Sequence, residues 1–246
     1  FNQTKKVLQN TKVRQALSYA VDRKQLVNKV LGNGSLTVTG IVSKGLTQFD
    51  GKDFSVLQDT KTGANYNLAK AKKLWQEGLK EEGVSKVSLN LLGDDSGVSK
   101  NVTEYLQSQL EQHLKGLTVT VNNVPMKTRI AKSESGDFDL VLSGWAADYS
   151  DPVSFLDMFT TDASYNNGKW SNKEYDQLIA DAKGKDGTDK SARMNDLVKA
   201  SRLLNNDQGV APLYQLAQAS LVKTNVKGVV YNTAGVQFNW KGAYLK

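Results

Sequence analysis

Two aspartates, Asp148 and Asp151, stand close together in the run Gly144-Trp145-Ala146-Ala147-Asp148-Tyr149-Ser150-Asp151-Pro152. Carboxylates so placed support two kinds of chemistry. A single fixed negative charge can hold a cation, and a pair can share acid and base duties in hydrolysis of a glycan or peptide. Their neighbours set the two apart. Asp151 directly precedes Pro152 and has the form of an N-cap followed by a first-turn proline. Asp148 is too far from the helix start to cap it, so its carboxylate is available to a cation in a cleft. Trp145 supplies a flat apolar wall beside it. Gly144 and Ala146 flank the tryptophan as further candidates, glycine allowing close approach of a ligand. Tyr165, Asn166, Asn167 and Tyr214 are further candidates, because polar or aromatic residues near strand ends can border the same cleft.

Other chemistries find few residues. The chain has one histidine and no cysteine, which excludes disulfides, thiolate nucleophiles and the usual transition-metal cages. His113 has no nearby serine, cysteine or aspartate arranged as a triad. Gly32-Asn33-Gly34 lacks both the dinucleotide fingerprint and the phosphate-loop lysine. Asp94-Asp95-Ser96-Gly97 lacks the twelve-residue calcium-loop pattern, although a carboxylate-only calcium site stays open. No catalytic residue, metal or cofactor is assigned. The net charge of +7 invites nucleic acid, but its distribution does not: Lys70, Lys72 and Lys73 share a helix with Glu77, Glu81 and Glu82, and Lys183, Lys185 and Lys190 alternate with Asp181, Asp186 and Asp189. These are mixed, solvated faces, and nucleic acid is not expected as a partner.

The elements that must position the turn alternate. Phe138 to Leu142 is a short apolar, β-prone run, and Val153 to Phe159 reads as an amphipathic helix, so the aspartates fall at a strand-to-helix junction. Upstream, Val13, Ala16, Leu17, Ala20 and Val21 form one helical face, with Asp22 and Arg23 expected as an ion pair or exposed charges. Gly32 to Thr62 reads as a long surface loop. A helix over 65–83, a strand over 86–92, a helix over 98–114, a strand over 117–121 and a short helix around Ile130 follow. Beyond the turn, Ser171 is the expected N-cap, with Glu174 at the capping-box position, of a helix carrying Tyr175, Leu178, Ile179 and Ala182. Met194, Leu197, Val198, Ser201 and Leu204 mark the next helix, and Pro212 implies an edge or an irregularity in Val210 to Leu216. The series implies an α/β fold, a mixed or parallel sheet flanked by helices. At 246 residues, 39% of them hydrophobic, the chain can bury a full core. No apolar run approaches the ~20 residues that cross a bilayer.

The chain resembles the extracytoplasmic peptide-binding proteins that serve ABC importers, the oligopeptide-binding proteins in particular. The resemblance rests on Gly144 to Tyr149, on Val13-Arg14-Gln15-Ala16-Leu17-Ser18-Tyr19-Ala20-Val21-Asp22-Arg23, on Asn67-Leu68-Ala69-Lys70-Ala71-Lys72-Lys73-Leu74 and on Glu174-Tyr175-Asp176-Gln177-Leu178-Ile179, all in the family's order. It corresponds to the family's C-terminal portion, so a fragment is expected: one lobe of a two-lobed periplasmic-binding-protein-like fold, with 1–220 as the ligand-binding lobe and 221–246 as a return segment toward the other lobe. The resemblance implies no enzymatic activity. It implies capture of extended oligopeptides by backbone contacts, with Asp148 receiving the peptide's α-ammonium group, in a monomer that hands its cargo to membrane permease subunits. It also implies an exported protein that, in a Gram-positive organism, is tethered as a lipoprotein. Some relatives carry an arginine two positions before the glycine, where it can meet a short peptide's carboxyl end; that position here is Leu142, and no fixed peptide length is implied. The cysteine some relatives carry after the tryptophan is Ala146.

Overall fold

The computed structural model describes residues 1–246. Helix α1 (Lys6–Gln9) leads into α2 (Thr11–Tyr19), which the Asn10 side chain caps by accepting from the N–H groups of Lys12 and Val13. After α3 (Arg23–Gln25) and a π-helical turn over Leu26–Leu31, the 32–62 stretch is more ordered than its composition suggests. It holds a two-residue-strand hairpin, β1 (Gln48–Phe49) with β2 (Lys52–Asp53), and α4 (Phe54–Leu57). Val42, Leu46, Phe49 and Phe54 anchor it in the core, and this apolar spacing is too sparse for a periodicity reading to register.

Then comes the expected α/β series: α5 (Leu68–Glu82), β3 (Val87–Asp94), α6 (Gly97–His113), β4 (Leu117–Val124), α7 (Met126–Glu134) and β5 (Leu140–Val141). Asn67 caps α5, and Gly83, in the left-handed region at φ 68°, ends it. The sheet is wholly parallel and ordered β4-β3-β5, with Val87 opposite Leu117 and Leu91 opposite Leu140. β3 is central, and its second half is an almost unbroken buried apolar run, as a parallel strand covered on both faces requires. Because the chain leaves β3 toward β4 and then recrosses to β5 on the other side, the sheet has a topological switch point at the C-terminal ends of β3 and β5. Crevices that take ligands open at such points.

A second layer follows: α8 (Val153–Leu156), a 3-10 turn over Asp157–Phe159, α9 (Lys173–Lys183) and α10 (Lys190–Asp207). The N-cap of α9 is Asn172, whose side chain accepts from the Tyr175 N–H. Ser171 instead shares its hydroxyl with Thr161, so the expected cap is off by one residue. The 210–216 stretch is not a strand; Pro212 removes a donor, and only a single bridge forms, between Leu36 and Gln215. The remainder is mostly exposed, and its short strands pair only with one another, β6 (Val226–Lys227) with β9 (Tyr244–Leu245) and β7 (Val230–Tyr231) with β8 (Phe238–Asn239). No helix is long and apolar enough to cross a membrane.

The apolar residues divide into two cores. One gathers Leu8, Leu17, Trp75, Leu91, Val102, Leu110 and Val119 from α1 to β5. The other gathers Phe54, Phe155, Leu156, Trp170, Tyr175, Leu197 and Leu204. Within the first, α2 and α5 meet where Gly78 faces Val13: a Cβ at Gly78 would lie 2.7 Å from the Val13 Cγ2. Glycine inside a helix ordinarily costs ~1 kcal/mol relative to alanine, but overpacking costs about 1–3 kcal/mol, and here the second effect wins. Gly78→Ala is expected to lower the midpoint of urea unfolding; an increase would show that the two helices separate without cost.

Candidate functional site

The turn after β5 crosses from one core to the other. Pairing with β3 continues through the Leu142 N–H, which donates to the Leu92 carbonyl at 2.8 Å, and Leu142 packs on the first core. Ala147 and Val153 lie in the second. Between them Ser143, Gly144, Trp145 and Ala146 are exposed, and none of their N–H groups bonds to another backbone group. This unpaired run sits at the switch point of the sheet.

Its two carboxylates have different fates. Asp151 accepts the Val153 N–H at 2.9 Å, the capping bond expected of it, and the Arg193 guanidinium grips both of its oxygens at 2.8 and 3.0 Å. That bidentate bond, with the Asp151 charge, raises the Arg193 pKa further. Asp148 is exposed and its carboxylate takes no protein donor; only its backbone is held, the N–H donating to the Ser154 hydroxyl at 2.8 Å. With Asp151 locked to Arg193, the two cannot act as the acid and base of a hydrolase.

Trp145 is held edge-on to Tyr165, centroids 4.8 Å apart, and its indole N–H donates to the Ser154 carbonyl at 2.9 Å. Ser154 therefore fixes both the tryptophan and the Asp148 backbone. The Ala147 carbonyl accepts the Gly235 N–H at 2.7 Å, so the 232–237 loop clamps the turn from outside. Gly144 has open space around it: a Cβ there would meet nothing within 4 Å.

The other candidates scatter. Tyr165 joins Trp145 at the surface. Asn166 is buried, and its amide spans the loop, donating to the Thr160 and Trp170 carbonyls and accepting the Trp170 N–H; its side chain is consumed by the loop itself. Asn167 is half-buried, its N–H donating to the Tyr165 carbonyl. Tyr214 packs on the first core, its hydroxyl pKa raised by burial and by Asp94. Asp94 caps the turn at Ser96 by accepting its N–H. His113 ends α6 half-buried. Arg23 departs from expectation: it is buried, ignores Asp22, and donates to the carbonyls of Pro212, Ser18 and Val21 and to the Ser18 hydroxyl. Burial lowers its pKa to about 10. Asp22 instead caps α3 through the Gln25 N–H. Ser154, Arg193 and Gly235, which hold the turn, lie far along the chain or outside any spacing pattern, and sequence reasoning did not find them.

The profile of the Bacterial extracellular solute-binding proteins, family 5 Middle, matches residues 1–167. The chain belongs to this family. This family-5 chain is 36% identical to a dipeptide-binding protein of Lactococcus lactis subsp. cremoris over 98% of its own length and 44% of the relative's. It superposes on the substrate-binding domain of an oligopeptide ABC transporter from Bacillus anthracis with a TM-score of 0.90 at 37% identity, over 97% of this chain and 46% of that one. It superposes on Listeria monocytogenes OppA bound to peptide with a TM-score of 0.88 at 34% identity, over 100% and 47%. The family-5 chain thus spans about half the length of the relatives it matches. Its α/β sheet with flanking helices is the architecture of one lobe of that two-lobed fold.

Proposed function

We propose that this chain is the ligand-binding lobe of the substrate-binding component of a peptide ABC transporter. It captures extended peptides without chemical change, by backbone pairing with the 143–146 run and by an ion pair between Asp148 and the peptide's terminal ammonium. The observation that carries the reading is the contrast within the turn: Asp151 is bound bidentate by Arg193, while Asp148 is presented unpaired beside exposed, unbonded main chain. Unpaired backbone at a sheet edge is a template for an added strand. The relatives' names, dipeptide-binding and oligopeptide-binding, support the ligand class.

In this reading Trp145 and Tyr165 wall one side of the ligand, residues 1–220 form the lobe, and the exposed 221–246 segment returns toward a second lobe. Asn167 and Tyr214 border the cleft through their backbone and ring, and Asn166 shapes it indirectly. The complete protein acts outside the cell as a monomeric lipoprotein of a Gram-positive organism and delivers cargo to the importer's permease subunits. Incubating that protein with a peptide mixture and recovering bound material by mass spectrometry should return intact peptides; cleaved products would sink the reading.

Gly144 offers a second test. Neither a positive φ nor packing within the lobe demands glycine there, so its value lies in the room it leaves for a ligand main chain. Gly144→Ala should keep the melting temperature and weaken peptide binding about tenfold, on the order of 1.4 kcal/mol. Unchanged affinity by calorimetry would place the ligand elsewhere.

A further inference from the structure

The chain has five arginines, and four have strong acceptors. Arg14 bonds to Asp207, Arg193 to Asp151, Arg23 to buried carbonyls, and Arg202 to the Leu57 carbonyl. Arg129, on α7, has none. Its guanidinium makes only two weak contacts, each 3.3 Å long, to the Ser143 hydroxyl and the Met126 sulfur, and its Nε–H is buried without a partner. A buried donor left unsatisfied is costly, and a guanidinium fork is shaped for a carboxylate. Arg129 touches Ser143, the first residue of the unpaired run that ends near Asp148.

We propose that Arg129 receives a carboxylate of the bound ligand and so makes the site selective for peptides that carry one. The assignment rests on the peptide reading above. It places a positive group at one end of the run and the Asp148 carboxylate at the other. Five residues of chain separate Ser143 from Asp148, a span of at most ~18 Å. An extended peptide of about five residues matches that length, so the carboxylate is either the C-terminus of a short peptide or an acidic side chain of a longer one. The position is not the one before Gly144 that Leu142 occupies; the cation comes from the neighbouring helix instead.

The test compares the full-length protein with its Arg129→Gln and Arg129→Lys variants against three peptide libraries with free amino termini. The first has C-terminal acids and no Asp or Glu; the second, C-terminal amides and no Asp or Glu; the third, C-terminal amides with Asp and Glu. Retained peptides are quantified by mass spectrometry. The wild type should favour the first or the third library over the second by about tenfold or more. The first would identify the terminal carboxylate, the third a side chain. Arg129→Gln should abolish the preference while retaining the second library as the wild type does, and Arg129→Lys should restore part of it. Absence of any preference in the wild type, or a preference that survives in Arg129→Gln, would overturn the assignment and leave the peptide reading standing. If the wild type retains none of the three libraries, the peptide reading itself falls, and this assignment with it. Arg129 is half-exposed, and matching thermal melts of the three proteins separate a loss of preference from a loss of fold.

Discussion

Asp148→Asn in the full-length protein is expected to weaken binding of peptides with free amino termini by between one and four decades, with no change in melting temperature. The asparagine is nearly isosteric and still accepts hydrogen bonds, so the change removes the charge alone. In the free lobe the carboxylate is exposed and takes no protein donor, and its loss should not disturb the fold. In the closed complex it would face an ammonium group away from water, and truncating one member of a desolvated, hydrogen-bonded charge pair costs roughly 2–5 kcal/mol. Much of that is the penalty of leaving the ammonium unpaired. Two controls sharpen the result. N-acetylated peptides should bind the wild type as poorly as free peptides bind Asp148→Asn, and should not distinguish the two proteins. Asp151→Asn should do the reverse: its remaining oxygen still accepts the Val153 N–H, but the charge and the bidentate contact with Arg193 are lost, lowering the melting temperature. Equal affinity of Asp148→Asn and wild type, measured by calorimetry, would remove the carboxylate from recognition.

The contrast in surroundings between these aspartates was legible in the sequence because it is local. Asp151 next to Pro152 announces a cap, and Asp148 has no such neighbour. The elements of the sheet were legible for the same reason: β3, β4 and the helices that flank them carry their periodicity within a single window of chain. What holds the turn was not legible. Arg193 reaches Asp151 across 42 positions, and Gly235 reaches Ala147 from a segment with no pattern of its own. Asn166 illustrates the opposite failure: a polar residue in a loop beside a cleft reads as a ligand contact, yet its amide is spent on three backbone partners. The apolar face of α2 predicted burial of Val13 and Leu17 correctly but said nothing of Arg14 and Arg23, which are buried as deeply. Charged residues are assigned to the surface by default, and only the fold reveals the carbonyls that repay their desolvation.

Arg14 is the more consequential of these two, because it joins the cores. From α2 in the first core its guanidinium donates to the Leu8 and Gln9 carbonyls at the end of α1, to the Asp207 and Gln208 carbonyls at the end of α10, and to the Thr11 hydroxyl, and it pairs with the Asp207 carboxylate at 3.0 Å. The same carboxylate accepts the indole N–H of Trp170 in the second core. Burial lowers the Arg14 pKa more than Asp207 raises it, so the charge is held at a cost. A buried ion pair replaced by an apolar side chain is often neutral or stabilising, and Arg14→Met would fit that rule if the carboxylate were the only partner. It is not. The substitution strands carbonyls at two helix ends, and each buried unsatisfied group costs about 1–3 kcal/mol. A net loss of roughly 3–5 kcal/mol is expected, which at ~2–4 °C per kcal/mol for a chain of this size lowers the melting temperature by about 6–20 °C. The two cores should also lose their coupling, so that calorimetry of the variant resolves two transitions where the wild type shows one. Lys12→Ala, which breaks only the exposed pairs with Glu77 and Glu81, should shift the melt far less. A melt of Arg14→Met within 1 °C of wild type would mean that the helix-end carbonyls find other partners. The guanidinium would then be a passenger in the core rather than the bolt between its halves.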